Sequence, residues 1–116
     1  FAQGEVSEIW ITFPDPQIKF KRTKHRLTHP EFLKRYHTVL NKDGIVHLKT
    51  DSEFLHGYTH GIIQMEGHDV LLTNHNVYNP DNFEMPEEIT SIQTFYEMKF
   101  LKEKKNITYI RFKLNY

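Results

Sequence analysis

Ile9-Trp10-Ile11-Thr12-Phe13-Pro14-Asp15-Pro16 is the stretch on which the fold turns. Its run from Ile9 to Phe13 is apolar on both alternating faces, as a strand of a parallel sheet is when both sides are covered. The two prolines stop it abruptly, because proline cannot donate to a sheet ladder. Asp15 is therefore expected at the carboxyl end of a buried strand. In open α/β sheets that is where ligand chemistry is placed.

Beyond Asp15 the chain becomes strongly cationic. Residues 19 to 35 hold seven Lys and Arg against one acid, Glu31, whereas residues 43 to 97 hold ten acids against one base, Lys49. A net charge of zero hides this segregation. The local positive field is what a polyanion such as RNA requires, and phosphate contacts would make binding fall steeply with salt. The arm from Pro16 to Leu27 is expected to be extended, and mobile when unbound. Phe20 and His25, interleaved with its cations, can stack on a splayed base.

Thr28-His29-Pro30-Glu31 reads as a capping box with Thr28 as the cap, and proline is tolerated in a first turn. A helix is expected to about Leu40, burying Phe32, Leu33, Tyr36, Val39 and Leu40, with Asn41 to Gly44 ending it and turning the chain. Ile45 to Thr50 is a second strand, and Asp51 follows it as Asp15 follows the first. Asp51-Ser52-Glu53 can open a helix that carries Phe54, Leu55, Tyr58 and Ile62 and ends near Gly67. Asp69 to Thr73 is a third strand, followed by a polar loop from Asn74 to Pro86. Helical spacing returns from about Thr90 to Lys104. Asn106 to Tyr116 alternates as a strand with one apolar face, expected to close the sheet in the antiparallel sense. The order β, α, β, α, β, short α, β is that of the second half of a doubly wound sheet.

With 116 residues, 38% of them hydrophobic and 26% charged, the chain has the composition of a single globular domain or part of one. There is no cysteine, which excludes disulfides, thiol nucleophiles and thiolate metal sites and fits a reducing compartment. No apolar run reaches membrane-spanning length and no signal peptide is visible. The expected setting is cytoplasmic. Phe1 is not a normal start, so the chain is expected to be a fragment lacking an upstream segment.

Phe13-Pro14-Asp15-Pro16 with Lys19 four residues after the Asp, then Leu27-Thr28-His29-Pro30-Glu31-Phe32-Leu33, then Gly44 to Asp51, and last Thr94-Phe95-Tyr96-Glu97 occur in one order. In these motifs the chain resembles the bacterial tRNA (guanine-N7-)-methyltransferases over most of its length. The resemblance implies an α/β fold, the C-terminal half of a Rossmann-like S-adenosylmethionine-dependent methyltransferase, with a mostly parallel sheet and an antiparallel last strand. Residues 1–116 would be the C-terminal part of a single methyltransferase domain whose cofactor-binding half is absent. The implied activity is methyl transfer from S-adenosyl-L-methionine to N7 of a guanine in the tRNA variable loop, with tRNA as partner, no membrane and no metal requirement. This chain alone would then be inactive.

By the same resemblance Asp15 is the catalytic aspartate and contacts both cofactor and base. Lys19, Asp51, Thr94, Phe95, Tyr96 and Glu97 bind substrate, and Lys21, Arg22, Thr23, Lys24, His25 and Arg26 form the RNA-interacting segment. Methylating N7 requires no proton abstraction, so a fixed carboxylate would act by orienting the base and stabilising the positive charge it acquires. Asp51 retains a plain alternative as a helix N-cap, and both roles can coexist. The Thr94 to Glu97 turn has its own as part of an amphipathic helix.

The chain departs from the family in three respects: Gln17 stands where Trp is usual, the end lacks a Gly-His-x-x-Trp pattern, and the cofactor-binding half is missing; within the late motif, Phe95 also replaces a usual Lys. No G-x-G-x-x-G is present. Two rivals remain at this stage: a noncatalytic RNA-binding module built on the arm, and a metal-dependent phosphodiesterase ligating through Asp15 and Asp51. His56 and His60, four apart, invite a metal reading but lack a Glu after His56 or a third ligand at telling spacing.

Overall fold

A computed structural model describes residues 3–78, 89, 98–99 and 106–116. The strand expected before the prolines forms as β1 (Val6–Thr12), and the segment after Asp15 coils into a 3-10 helix over Phe20–His25. Then come α1 (Pro30–Val39), β2 (Leu40–Thr50), α2 (Glu53–Glu66), β3 (Asp69–Asn74) and β4 (Thr108–Lys113).

The four strands form one sheet in the order β1-β2-β4-β3. β1 pairs with β2 in parallel, and β4 runs antiparallel to both β2 and β3. Three strands thus share a direction, while the last strand in sequence is inserted between β2 and β3 rather than closing an edge. Burial explains the insertion. β4 is apolar on both faces, with Ile110 and Phe112 fully buried on one side and Tyr109 on the other, so it needs cover on both.

One face of the sheet is the core. Val46 pairs with Phe112 and Leu48 with Ile110, and these pack with Ile11 on Leu33 of α1 and on Leu55, Ile62 and Ile63 of α2. On the opposite face Tyr109, Ile107, Val77 and Ile89 form a smaller cluster. That face also carries a polar network. His47 is fully buried, with Nδ1 2.6 Å from the Tyr109 hydroxyl and Nε2 2.9 Å from the Glu8 carboxylate, and its ring lies flat against Trp10 at 3.9 Å.

Several expectations are corrected here. β1 is not buried on both faces: only Ile11 is buried, Trp10 is 38% exposed, and among the described residues no strand pairs on its outer side. Asn41 to Gly44 does not turn the chain between elements. It lies within β2 as a bulge, because Val6 pairs with Leu40 and Glu8 with Ile45, leaving extra residues on β2 that a turn bond from the Asp43 amide to Asn41 Oδ1 gathers in.

The cap of α1 is His29, whose Nδ1 accepts from the Glu31 amide at 3.1 Å. Thr28 is buried instead and meets Thr59 of α2 at 2.8 Å. Since the Thr59 hydroxyl donates to the Leu55 carbonyl, Thr28 is the donor of that pair. The helix expected from about Thr90 to Lys104 lies almost wholly outside the described residues.

Candidate nucleic-acid interface

The chain beyond β1 is bent into an unusual path around Asp15. Phe13 and Gln17, which flank it, both adopt left-handed backbone conformations, with φ of 49° and 48°. Such values are uncommon for residues with a side chain, and they cluster where surrounding structure enforces them. The enforcing contacts are identifiable. The Phe13 amide donates to the Lys49 carbonyl at 2.8 Å, which holds the strand end on β2. The Gln17 amide donates to Asp15 Oδ1 at 2.9 Å, closing a small turn on the carboxylate itself.

Arg26 holds the far side of the turn. Its Nε donates to the Gln17 carbonyl at 3.0 Å and Nη2 to the Ile18 carbonyl at 3.2 Å. The guanidinium lies over the rings of Phe54 and Tyr58 of α2, 4.7 and 4.6 Å from their centroids. It is only 6% exposed. The Tyr36 hydroxyl donates to the Leu27 carbonyl at 2.8 Å and completes the anchorage. The arm is therefore neither extended nor loose from the body: one end is stapled to α1 and α2, and the 3-10 helix rides between the staple and Asp15.

This folding gathers Asp15, Pro16, Gln17, Ile18, Lys19, Lys21 and Arg22 around one surface cavity of about 520 Å³. Asp15 and the three cations are exposed, so one carboxylate and a cationic rim face the same space. Arg22 is steadied there by a bond from Nε to the Gln17 side-chain oxygen at 3.2 Å. Lys24 and His25 are exposed on the same short helix, and Thr23 turns back to donate to the Phe20 carbonyl. Of the six residues expected to contact RNA, Thr23 and Arg26 thus bond the arm's own backbone, and of these Arg26 is the buried one.

Asp51 is half-buried at the same end of the sheet, two residues past Lys49 as Asp15 is two past Phe13, whose amide bonds the Lys49 carbonyl. It does not line the Asp15 cavity. Nor is it the cap of α2: Ser52 takes that position, its Oγ accepting from the Leu55 amide at 3.0 Å. Lys49 is 3% exposed, its ammonium donating to the Ile89 carbonyl and reaching the Tyr78 hydroxyl at 3.4 Å. Thr94, Phe95, Tyr96 and Glu97 lie outside the described residues.

Sequence reasoning passed over Gln17, which it registered only as a departure from a pattern. Its amide, carbonyl and side chain bind Asp15, Arg26 and Arg22 in turn. The available signal was Pro-Asp-Pro-Gln itself, since an Asx turn needs a free amide two residues on and Gln17 has the first one after Pro16.

The histidines do form a group. His56, 2% exposed, has its ring 4.8 Å from that of His60 and 4.6 Å from that of His75. Burial, then the neighbouring His60 and His75, lower its pKa to about 4. Among the described residues no group of three or more His, Cys, Asp or Glu is arranged to hold a metal ion. No described helix is long and apolar enough to cross a membrane.

The fold is α/β, with an acidic residue and a cationic rim gathered at the carboxyl end of β1. A family model described as "Putative methyltransferase" matches residues 1–110, and the chain belongs to that family. It is similar to proteins named tRNA (guanine-N(7)-)-methyltransferase. The one from Christiangramia forsetii is 63% identical over 98% of this chain and 50% of its own length. Those from Bacteroides thetaiotaomicron and Bacteroides fragilis are 47% and 46% identical over 98% of this chain and 43% of their own length. The chain spans about half the length of these curated relatives.

Proposed function

We propose that this chain is the C-terminal, base- and RNA-binding part of a single-domain tRNA (guanine-N7-)-methyltransferase that uses S-adenosyl-L-methionine and works in the cytoplasm. The observation that carries the reading is the cavity where Asp15 meets Lys19, Lys21 and Arg22. A lone carboxylate inside a cationic rim suits a ligand that is anionic along its backbone and becomes cationic at one base. Guanine methylated at N7 is such a ligand. The sheet order β1-β2-β4-β3, with β4 reversed, is consistent with one half of a Rossmann-like methyltransferase sheet.

The described residues fit the cofactor at one edge only. The Asp15 carboxylate can accept from a cationic or hydroxyl group brought beside it, but no glycine-rich cradle adjoins it, and Gly57 and Gly61 of α2 face open space. When bound, S-adenosylmethionine supplies an electrophilic methyl group for the N7 lone pair. The chain's own part is positional and electrostatic. Lys19, Lys21 and Arg22 hold phosphates, the Arg26 and Gln17 contacts fix the turn, and Asp15 lies where it can orient the base and stabilise its developing positive charge.

The test is transfer of labelled methyl from S-adenosylmethionine to unmodified tRNA by the full-length protein, with the product digested to nucleosides. Label in 7-methylguanosine supports the reading. Label in another nucleoside, or tRNA bound and left unmethylated as by a pure RNA-binding module, contradicts it. Cleavage of the RNA under a divalent ion would point to the phosphodiesterase instead.

A further inference from the structure

Phe20 opens the 3-10 helix and is 92% exposed, the most exposed large apolar side chain among the described residues. An aromatic ring left in water forfeits the free energy that burial would return, and five cationic residues of the arm, Lys19, Lys21, Arg22, Lys24 and Arg26, surround it in sequence. Its neighbours Lys19 and Lys21 line the Asp15 cavity, but Phe20 does not. The ring therefore stands beside the cavity rather than in it. Its mount is firm, because the Arg22 amide bonds the Lys19 carbonyl at 2.8 Å, Thr23 bonds the Phe20 carbonyl, and Arg26 staples the preceding turn.

We infer that Phe20 is a stacking platform for an unpaired nucleobase of the RNA, next to the base presented to Asp15. The inference rests on the RNA-binding part of the function proposed above. A π face flanked by cations and held clear of the protein is the arrangement with which proteins take hold of single-stranded nucleic acid: the cations track phosphates while the ring meets a base. Charge complementarity selects the occupant, since the exposed Lys19, Lys21, Arg22 and Lys24 lie next to Phe20 in the chain and residues 16–30 hold no acid. The platform gives the RNA a second point of hold, so that the target base is set by its neighbour as well as by its own edge.

The experiment is titration of the full-length protein with an unmodified tRNA transcript, followed by fluorescence anisotropy across a range of salt. Phe20→Ala should weaken binding roughly 5- to 150-fold, the range for losing one stacked base. The slope of log affinity against log salt should be unchanged, because no phosphate contact is lost. Lys21→Ala should instead lower the slope by about one. Phe20→Trp should bind like the parent and show indole emission quenched by tRNA, whereas Phe20→Leu should bind like the alanine variant.

Parental affinity in Phe20→Ala and Phe20→Leu overturns the inference, as does a changed salt slope. Methyl transfer is scored in parallel. If the parent methylates guanine N7 while the Phe20 variants bind normally, the stacking role alone is wrong. If the parent binds tRNA through Phe20 but methylates no guanine, the proposed function is wrong and the platform stands.

Discussion

Replacing Arg26 with alanine removes the clamp that joins the cationic arm to α2, and the structure sets the scale of the loss. Two hydrogen bonds from a charged donor, at 3.0 and 3.2 Å, disappear. Each is worth about 1.5–3 kcal/mol when its acceptor stays dry. Contacts of the cation with Phe54 and Tyr58 go with them, at about 0.5–2 kcal/mol each. Ile18 is exposed and Gln17 half-buried, so water takes over both carbonyls and the net cost falls to the lower end of the sum, about 4 kcal/mol, or below it. We expect about 2–4 kcal/mol. Because the clamp closes a surface segment, the loss should appear as local opening rather than global unfolding.

The assay is amide hydrogen exchange. The amides of Gln17, Arg22 and Arg26, bonded to Asp15, Lys19 and Thr23, should exchange about 30- to 1000-fold faster. Amides of β2 and β4 should not change. Arg26→Lys keeps the charge but not the planar fork and should fall between. The salt dependence of tRNA binding should match the parent. Unaltered exchange across residues 15–26, together with a salt slope reduced by about one, would refute this reasoning and make Arg26 a phosphate contact.

The remaining predictions concern the body of the fold. His56 is held neutral when folded, with a pKa of about 4, against 6.5 when unfolded. The folded state therefore binds fewer protons, so the stability is present above about pH 6.5 and lost as pH falls toward 4, on the order of 3 kcal/mol. Denaturation midpoints at pH 7 and pH 4 should fall further for the parent than for His56→Leu; an equal fall would show that His56 contributes nothing. Gly44→Ala would put its Cβ 2.7 Å from Leu40 Cβ and 3.0 Å from the Asn41 carbonyl, so the bulge must shift at a cost of about 1–3 kcal/mol. By contrast Gly57→Ala meets nothing within 4 Å and should stabilise α2 by about 1 kcal/mol. Urea midpoints distinguish the two.

Local signals in the sequence reached the elements well and their surroundings less well. β1, α1, α2, β3 and β4 lie within a few residues of where alternation, helical spacing and turn residues put them, because those signals act over one or two turns of chain. The exposure of β1 was not legible. Ile9 to Phe13 records what the strand is suited to be covered by, and alternation alone cannot say what lies alongside. Asn41 to Gly44 are turn residues in either setting, and only pairing with Val6 and Glu8 shows that the turn is a bulge inside a strand. At the site, Asp15 and the cations were legible from spacing and charge. The inward turn of Arg26 was not, since it depends on Phe54 and Tyr58, far along the chain. Thr28 was misassigned for the same reason: Thr59 claims its hydroxyl, and His29 replaces it as the cap.

The central claim is that the Asp15 carboxylate, fixed by its bond from the Gln17 amide, serves the base and not the backbone of the RNA. Asp15→Asn keeps the shape and an acceptor for that amide while removing the charge. Measured in the full-length protein, methyl transfer to tRNA should fall about 100- to 1000-fold while tRNA affinity stays within about twofold. Transfer at the parental rate, or a loss of affinity as large as the loss of rate, would contradict the account.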